Sequence, residues 1–97
     1  MATTTAAMMD IPPLEKAILQ MAQDCLAVAE QYRDKYLQGA ATDEDLVTLL
    51  DNSVALATLV KLAYADDSGM THETRLLLLQ MESQERELLL PVRLREG

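Results

Sequence analysis

The stretch DLVTLLDNSVALATLVKLAYAD, residues 45–66, decides the fold. Within it, residues 53–65 form a run of Val, Leu and Ala that is interrupted at four positions, Ser53, Thr58, Lys61 and Tyr64. A helix that is apolar around most of its circumference has to be covered on more than one side. We therefore expect the segments before and after this helix to cover it from two sides, with Leu50 in the core.

The composition favours an all-α fold. A chain of 97 residues suffices for one modest domain, and 49% hydrophobic residues exclude disorder over most of its length. There is no Trp or Phe, and three Gly and three Pro offer little turn chemistry for a sheet. We predict one domain over residues 11–90, an antiparallel helical hairpin plus a third helix. This three-helix bundle is expected to be completed by dimerisation or by a partner chain.

The first helix is predicted over about residues 13–38. Pro12 and Pro13 suit a helix start, and Gly39 is the residue type favoured just past a helix end. Apolar residues at alternating spacings of four and three form a heptad seam, Leu14, Ile18, Met21, Cys25, Val28 and Tyr32, flanked by Leu19, Ala22, Leu26 and Ala29. We expect this seam to face the core. The preceding residues 1–10 are predicted to be a disordered tail.

Two further helices follow, over about residues 43–65 and 72–89. Thr42 before three acidic residues is typical of a helix start, and Gly69 marks the break between the two helices. Pro91 is expected to end the third helix, because proline lacks the backbone N–H and clashes with the preceding turn. Residues 91–97 are then predicted to be an extended C-terminal tail.

The net charge of −8 argues against a nucleic-acid-binding surface and against docking on anionic lipid. Acidity of this kind commonly serves solubility, and it also suits a basic partner. Carboxylates gather at both ends of the second helix. They either cap helices or form an acidic docking surface made of Asp43, Glu44, Asp45, Asp66 and Asp67.

No residue pattern points to catalysis, a metal or a cofactor. Counting from Asp66, the calcium-loop pattern fails, because Thr71 stands where glycine is needed. His72 and Glu73 begin a zinc-protease pattern that Leu76 breaks. Asp24 beside Cys25 disfavours a reactive thiolate. We expect no catalytic residue, no metal site and no cofactor.

The expected location is the cytoplasm. A single cysteine cannot form a disulfide within the chain and suits a reducing compartment. The N-terminal segment lacks the basic and long apolar regions of a signal peptide. Uninterrupted apolar runs reach only four residues, so we expect no membrane span.

The C-terminal third carries more leucine than one helix packed on a hairpin can bury. We predict a partner-binding surface made of Leu76, Leu78, Leu79, Met81, Leu88, Leu89, Val92 and Leu94. The competing interpretation is a third bundle helix with one leucine left exposed, and the sequence does not separate the two.

The function predicted from these features is non-enzymatic binding of another protein, by an adaptor or chaperone that uses the third helix. In size, acidity and helical content the chain is similar to bacterial secretion chaperones and co-chaperones, a similarity of architecture with no shared motif. The alternative is an acidic inhibitor or regulator, such as an antitoxin, an anti-activator or a phage-type inhibitor of a nucleic-acid-binding protein. Either function implies a homodimer or a complex with another protein, and no direct contact with nucleic acid or membrane.

Overall fold

A computed structural model describes residues 11–96, and over this range the chain is all-α. Its three helices are α1 (Pro13–Leu37), α2 (Asp43–Ala63) and α3 (His72–Glu96), with no strand among the described residues. All three pack against one another, which confirms the predicted three-helix fold class. The predicted disordered tail, residues 1–10, lies outside the described residues.

The core face of α1 is rotated from the predicted seam. Ile18, Cys25 and Tyr32 are buried as expected, but Leu14 and Met21 are exposed. The residues predicted to flank the seam complete the buried face instead, namely Leu19, Ala22, Leu26 and Ala29. Two alanines at the centre of this face let the other helices approach closely. The described core therefore uses the small residues of α1 and leaves larger ones outside.

A capping box starts α2 where the sequence predicted. The Thr42 hydroxyl accepts a hydrogen bond from the Asp45 backbone N–H, and the Asp45 carboxylate accepts one from the Thr42 N–H. The preceding turn passes through Gly39 at φ +76°, a conformation that a side chain would strain. Lys35 at the end of α1 forms an ion pair with Asp45 at 3.1 Å. These contacts fix the antiparallel α1–α2 hairpin.

The third helix does not end at Pro91, so the predicted C-terminal tail is wrong over residues 91–96. Pro91 lies on the solvent side, where water can bond to the carbonyl that loses its helical partner. Beyond it, Val92 is buried with Tyr32 and Leu49. The Arg95 guanidinium lies 6.0 Å from the ring centroid of Tyr36. Packing of this last segment outweighs the local penalty of an internal proline.

The core consists of two apolar clusters separated by a polar contact. One cluster is centred on Leu56 and Leu78, and the other contains Tyr32 and Leu89. Between them the Ser53 hydroxyl donates a hydrogen bond of 3.0 Å to the buried carboxylate of Glu85. This bond joins α2 to α3 at mid-height.

The expectation that α2 lies between two covering helices is wrong. Eight residues of α1 are buried, whereas α2 buries four, Leu49, Leu56, Leu59 and Ala63. Both α2 and α3 pack more extensively on α1 than on each other. The central helix is therefore α1, and α2 contributes one buried face.

Candidate functional site

Cys25 is placed where it cannot act as a ready nucleophile. Its side chain is buried in the cluster around Leu56. Burial raises the pKa of the Cys25 thiol, and the negative charges of Glu85 and Asp24 raise it further. Since the thiolate is the reactive species, this environment disfavours nucleophilic chemistry.

The His, Asp and Glu side chains of the described residues do not come together in a metal-binding arrangement. His72 is exposed at the start of α3. Among residues 11–96, no group of three or more His, Cys, Asp or Glu side chains is placed to hold a metal ion. The predicted absence of a catalytic or metal function stays a prediction, because nothing here tests it directly.

Glu15 forms the most elaborate polar cluster in the described chain. This buried carboxylate accepts hydrogen bonds from the Thr71 N–H (3.1 Å), the Thr71 hydroxyl (2.8 Å) and the Thr74 hydroxyl (2.5 Å). The Thr74 hydrogen bond is the main reason that the pKa of Glu15 lies below its ordinary value, with Thr71 and the charge of Arg75 adding to it against the effect of burial. Thr71 stands just before α3 and Thr74 in its first turn, so the cluster fixes α1 to the start of α3 across 56 residues of sequence.

Only part of the predicted leucine-rich surface on α3 is exposed, and its role in binding stays a prediction. Leu78, Leu89 and Val92 are buried in the core, because they lie on the face of α3 that packs on α1 and α2. Met81 and Leu88 are partly buried against the two clusters. Three predicted residues are exposed, Leu76, Leu79 and Leu94. Leu90, which was not among the predicted residues, is exposed as well, so α3 keeps four exposed leucines.

The predicted acidic residues form two separate groups. Asp43, Glu44, Asp66 and Asp67 are exposed, whereas Asp45 is half-buried and engaged by Thr42 and Lys35. One group precedes α2 and the other follows it. A helix of 21 residues is about 31 Å long, so the two groups are not one surface.

The largest unexpected feature is the outer face of α2. Val47, Leu50 and Val54 are 57%, 55% and 66% exposed. With Ala57 and Lys61 they recur at spacings of three and four along the helix. We call this set of five residues, Val47, Leu50, Val54, Ala57 and Lys61, the α2 seam. Leu46 and Leu62 add exposed apolar area beside it.

Sequence reasoning missed the α2 seam because α2 carries two heptad patterns. Leu49, Leu56, Leu59 and Ala63 recur with the same spacings as the α2 seam, on the opposite face of the helix. Both patterns look like a core face in the sequence. The one signal in the sequence was that both patterns occur on the same helix. In a bundle of three helices, the two neighbours of α2 cannot cover two opposite faces of it.

A shallow cleft of about 500 Å³ lies between α1 and α3, and its lining is mixed polar and apolar. Arg33, Glu30 and Glu87 stand around it, with Leu26 and Leu88 below. No buried polar side-chain atom among the described residues lacks a hydrogen-bond partner.

Among the described helices, α2 is long and apolar enough to cross a membrane, with a mean hydropathy of 1.5 over its most apolar window. Length and composition are weak grounds, because soluble core helices satisfy the same condition. Asp51 stands near the middle of the helix, exposed on the outside. Only 22% of that apolar window is buried within the described fold.

Comparison with known proteins gives no relative from which a role could be transferred: no family model, no curated protein and no solved structure matches the chain.

Proposed function

We propose that this protein is a small, non-enzymatic protein-binding module of the adaptor or chaperone class, acting in the cytoplasm. Its binding surface is the α2 seam, with Leu46 and Leu62 at the edges. The proposal replaces the predicted α3 surface by one on the neighbouring helix. It keeps the predicted mode of binding, in which apolar side chains of one helix enter a groove between helices of another protein.

The observation that carries the proposal is the exposure of large apolar residues on one side of α2. Single exposed leucines are ordinary on soluble proteins, but a contiguous apolar strip marks an interaction site. Covering a side chain that is half exposed stabilises a complex by roughly 1 kcal/mol. Five such residues flank or form the strip, Leu46, Val47, Leu50, Val54 and Leu62.

The charged residues around the apolar strip are suited to orienting a partner more than to increasing its affinity. Asp43 and Glu44 lie at one end of α2 and Lys61 lies near the other. None of the three takes part in an ion pair with another described residue. Charged residues at the edge of an apolar contact accelerate association and select the partner's direction.

The test compares Val54→Asp with Leu14→Asp as a matched control. Both residues are exposed apolar side chains, at 66% and 72%, and both substitutions add one negative charge. Val54 lies in the α2 seam and Leu14 lies on α1. Each tagged variant is used to capture proteins from an extract of the cell that produces it, alongside the wild type.

Val54→Asp is expected to lose the captured protein, whether that protein is another chain or an untagged copy of this one. Leu14→Asp is expected to retain it, with circular dichroism unchanged in both. Capture that is equal for the wild type and Val54→Asp would show that binding, if any, uses another surface.

A second candidate, an acidic inhibitor of a basic protein, is favoured by the exposed carboxylates at both ends of α2. These two groups of carboxylates are about 31 Å apart. A basic partner therefore either spans the length of α2 or contacts one end of it. Such binding weakens steeply with added salt, whereas binding through the α2 seam is nearly insensitive to it. Measuring the affinity for the captured partner at low and high salt distinguishes the two.

A further inference from the structure

The four apolar residues of the α2 seam, Val47, Leu50, Val54 and Ala57, are symmetric about position 52. Counted along the helix, Val47 and Ala57 are equally far from Asn52, and so are Leu50 and Val54. A second α2 that runs in the opposite direction across this midpoint places Leu50 against Val54 of the other copy. It also places Val47 against Ala57, so a larger side chain meets a smaller one.

The charges at the two ends follow the same symmetry. Asp43 precedes Val47 by four residues and Lys61 follows Ala57 by four, so both continue the seam spacing. Reversal of the second helix places Lys61 of each copy opposite Asp43 of the other. Both side chains are exposed, and neither forms an ion pair within the described chain.

The parallel arrangement lacks these advantages. It brings Asp43 against Asp43, Glu44 against Glu44 and Lys61 against Lys61, and like charges at these distances repel. It also aligns the two helix dipoles, whereas reversal sets the positive end of each helix beside the negative end of the other.

We propose that the occupant of the α2 seam is a second copy of this chain, packed antiparallel about a two-fold axis that crosses the seam between Leu50 and Val54, at the height of Asn52 along α2. This inference rests on the proposed function, since it names the partner of the same surface. A two-fold interface buries the same strip on both copies at once, which doubles the apolar area gained from one surface. Asp51 flanks the α2 seam close to the axis and opposes association, so the dimer is weak and concentration-dependent.

The first experiment measures the dimer dissociation constant by sedimentation equilibrium for charge variants. Lys61→Glu is expected to weaken the dimer about tenfold or more at low salt, because each copy then presents Glu to Asp43. The double variant Asp43→Lys/Lys61→Glu is expected to regain the lost affinity. Lys16→Glu, an exposed lysine on α1, gives the same change in net charge and is expected to have little effect.

A second experiment determines the direction of the helices. Spin labels at Leu62→Cys, in a Cys25→Ala background, stand beside the α2 seam. Antiparallel packing about Asn52 separates the two labelled positions by about 30 Å along the helix axis, at 1.5 Å per residue. Parallel packing brings the two labelled helices to about 8–10 Å at the same height.

Several outcomes overturn the inference. A wild type that stays monomeric at every concentration excludes the second copy as the occupant. If that monomer captures a different protein and Val54→Asp does not, the proposed function stands and this inference fails. If the wild type neither dimerises nor captures another protein, both the proposed function and this inference fail.

A short distance between the labels, or failure of the double variant to regain affinity, rejects the antiparallel dimer. Flotation of the wild type, but not of Val54→Asp, with phosphatidylcholine vesicles assigns the α2 seam to a lipid surface instead.

Discussion

At the scale of single residues, Glu15 shows how a surface-like position becomes structural. It stands in the first turn of α1, where an acidic residue usually faces water and complements the helix dipole. Here it is buried and accepts two hydrogen bonds from Thr71, just before α3, and one from Thr74 in the first turn of α3. The sequence offered no signal for this role, because Thr71 and Thr74 lie 56 and 59 positions away and look like ordinary cap residues.

Replacing Glu15 by Gln tests this role through pH. The pKa of Glu15 is lowered in the folded state, so its stabilisation is fully present above the ordinary value of 4.5 and is lost as pH falls through the lowered pKa. We expect Glu15→Gln to melt several degrees below the wild type at neutral pH. The gap in Tm should close as pH is lowered below 4.5.

Thermal unfolding followed by circular dichroism gives the measurement, with Glu30→Gln as the control. Glu30 lies on the same helix and is exposed, so its variant should track the wild type at each pH. A Glu15→Gln gap that stays constant over the acidic range would contradict the assigned role.

The hydrogen bond between Ser53 and Glu85 makes a second prediction at this scale. Ser53→Ala leaves a buried carboxylate without its donor, and we expect a loss of roughly 1–3 kcal/mol in the free energy of unfolding. Replacing both residues, as Ser53→Ala/Glu85→Met, joins the two apolar clusters. That double variant should be at least as stable as the wild type.

Urea denaturation of Ser53→Ala, Glu85→Met and the double variant measures the coupling between Ser53 and Glu85. Additive losses in the double variant would show that the two side chains do not interact as the 3.0 Å contact indicates.

At the scale of the element, α2 shows why sequence pattern identified a helix but not its buried side. Two sets of apolar residues share the same periodicity on opposite faces, one led by Leu56 and the other by Val54. Periodicity determines which residues share a face, but only the tertiary contacts decide which face is covered. The same ambiguity explains the error in the predicted core face of α1. Ala22 and Ala29 are buried there, whereas Leu14 and Met21 are exposed.

A matched pair of substitutions on α2 tests the assignment of its two faces. Leu50 is 55% exposed and Leu56 is fully buried. We expect Leu50→Asp to keep its helical circular dichroism at low protein concentration. Leu56→Asp should unfold the domain, because an uncompensated charge in the core is destabilising by several kcal/mol. The opposite result, with Leu50→Asp unfolded and Leu56→Asp folded, would place the core on the other face.

At the scale of the whole molecule, the sequence was sufficient for the fold class but not for the arrangement of the core. Helix-start chemistry at Thr42 and the glycines at 39 and 69 located the breaks. Pro91 was misread, because a local rule was applied where tertiary packing of Val92 decides the outcome. The α2 seam was not expected from the sequence for a related reason, because only the tertiary packing leaves that face of α2 exposed. With α1 at the centre, α3 buries Leu78 and Leu89, and both α2 and α3 keep other apolar residues outside.

The reactivity of engineered thiols on the two faces of α2 tests the account most directly. In a Cys25→Ala background, Val54→Cys and Leu56→Cys place single cysteines two positions apart on opposite faces. At low protein concentration under native conditions, we predict that a maleimide modifies Cys at position 54 far faster than at position 56. Modification of position 54 should slow as the protein concentration rises. Equal protection of both positions in the dilute protein would mean that α2 is covered within its own chain, and the proposed binding surface would not exist.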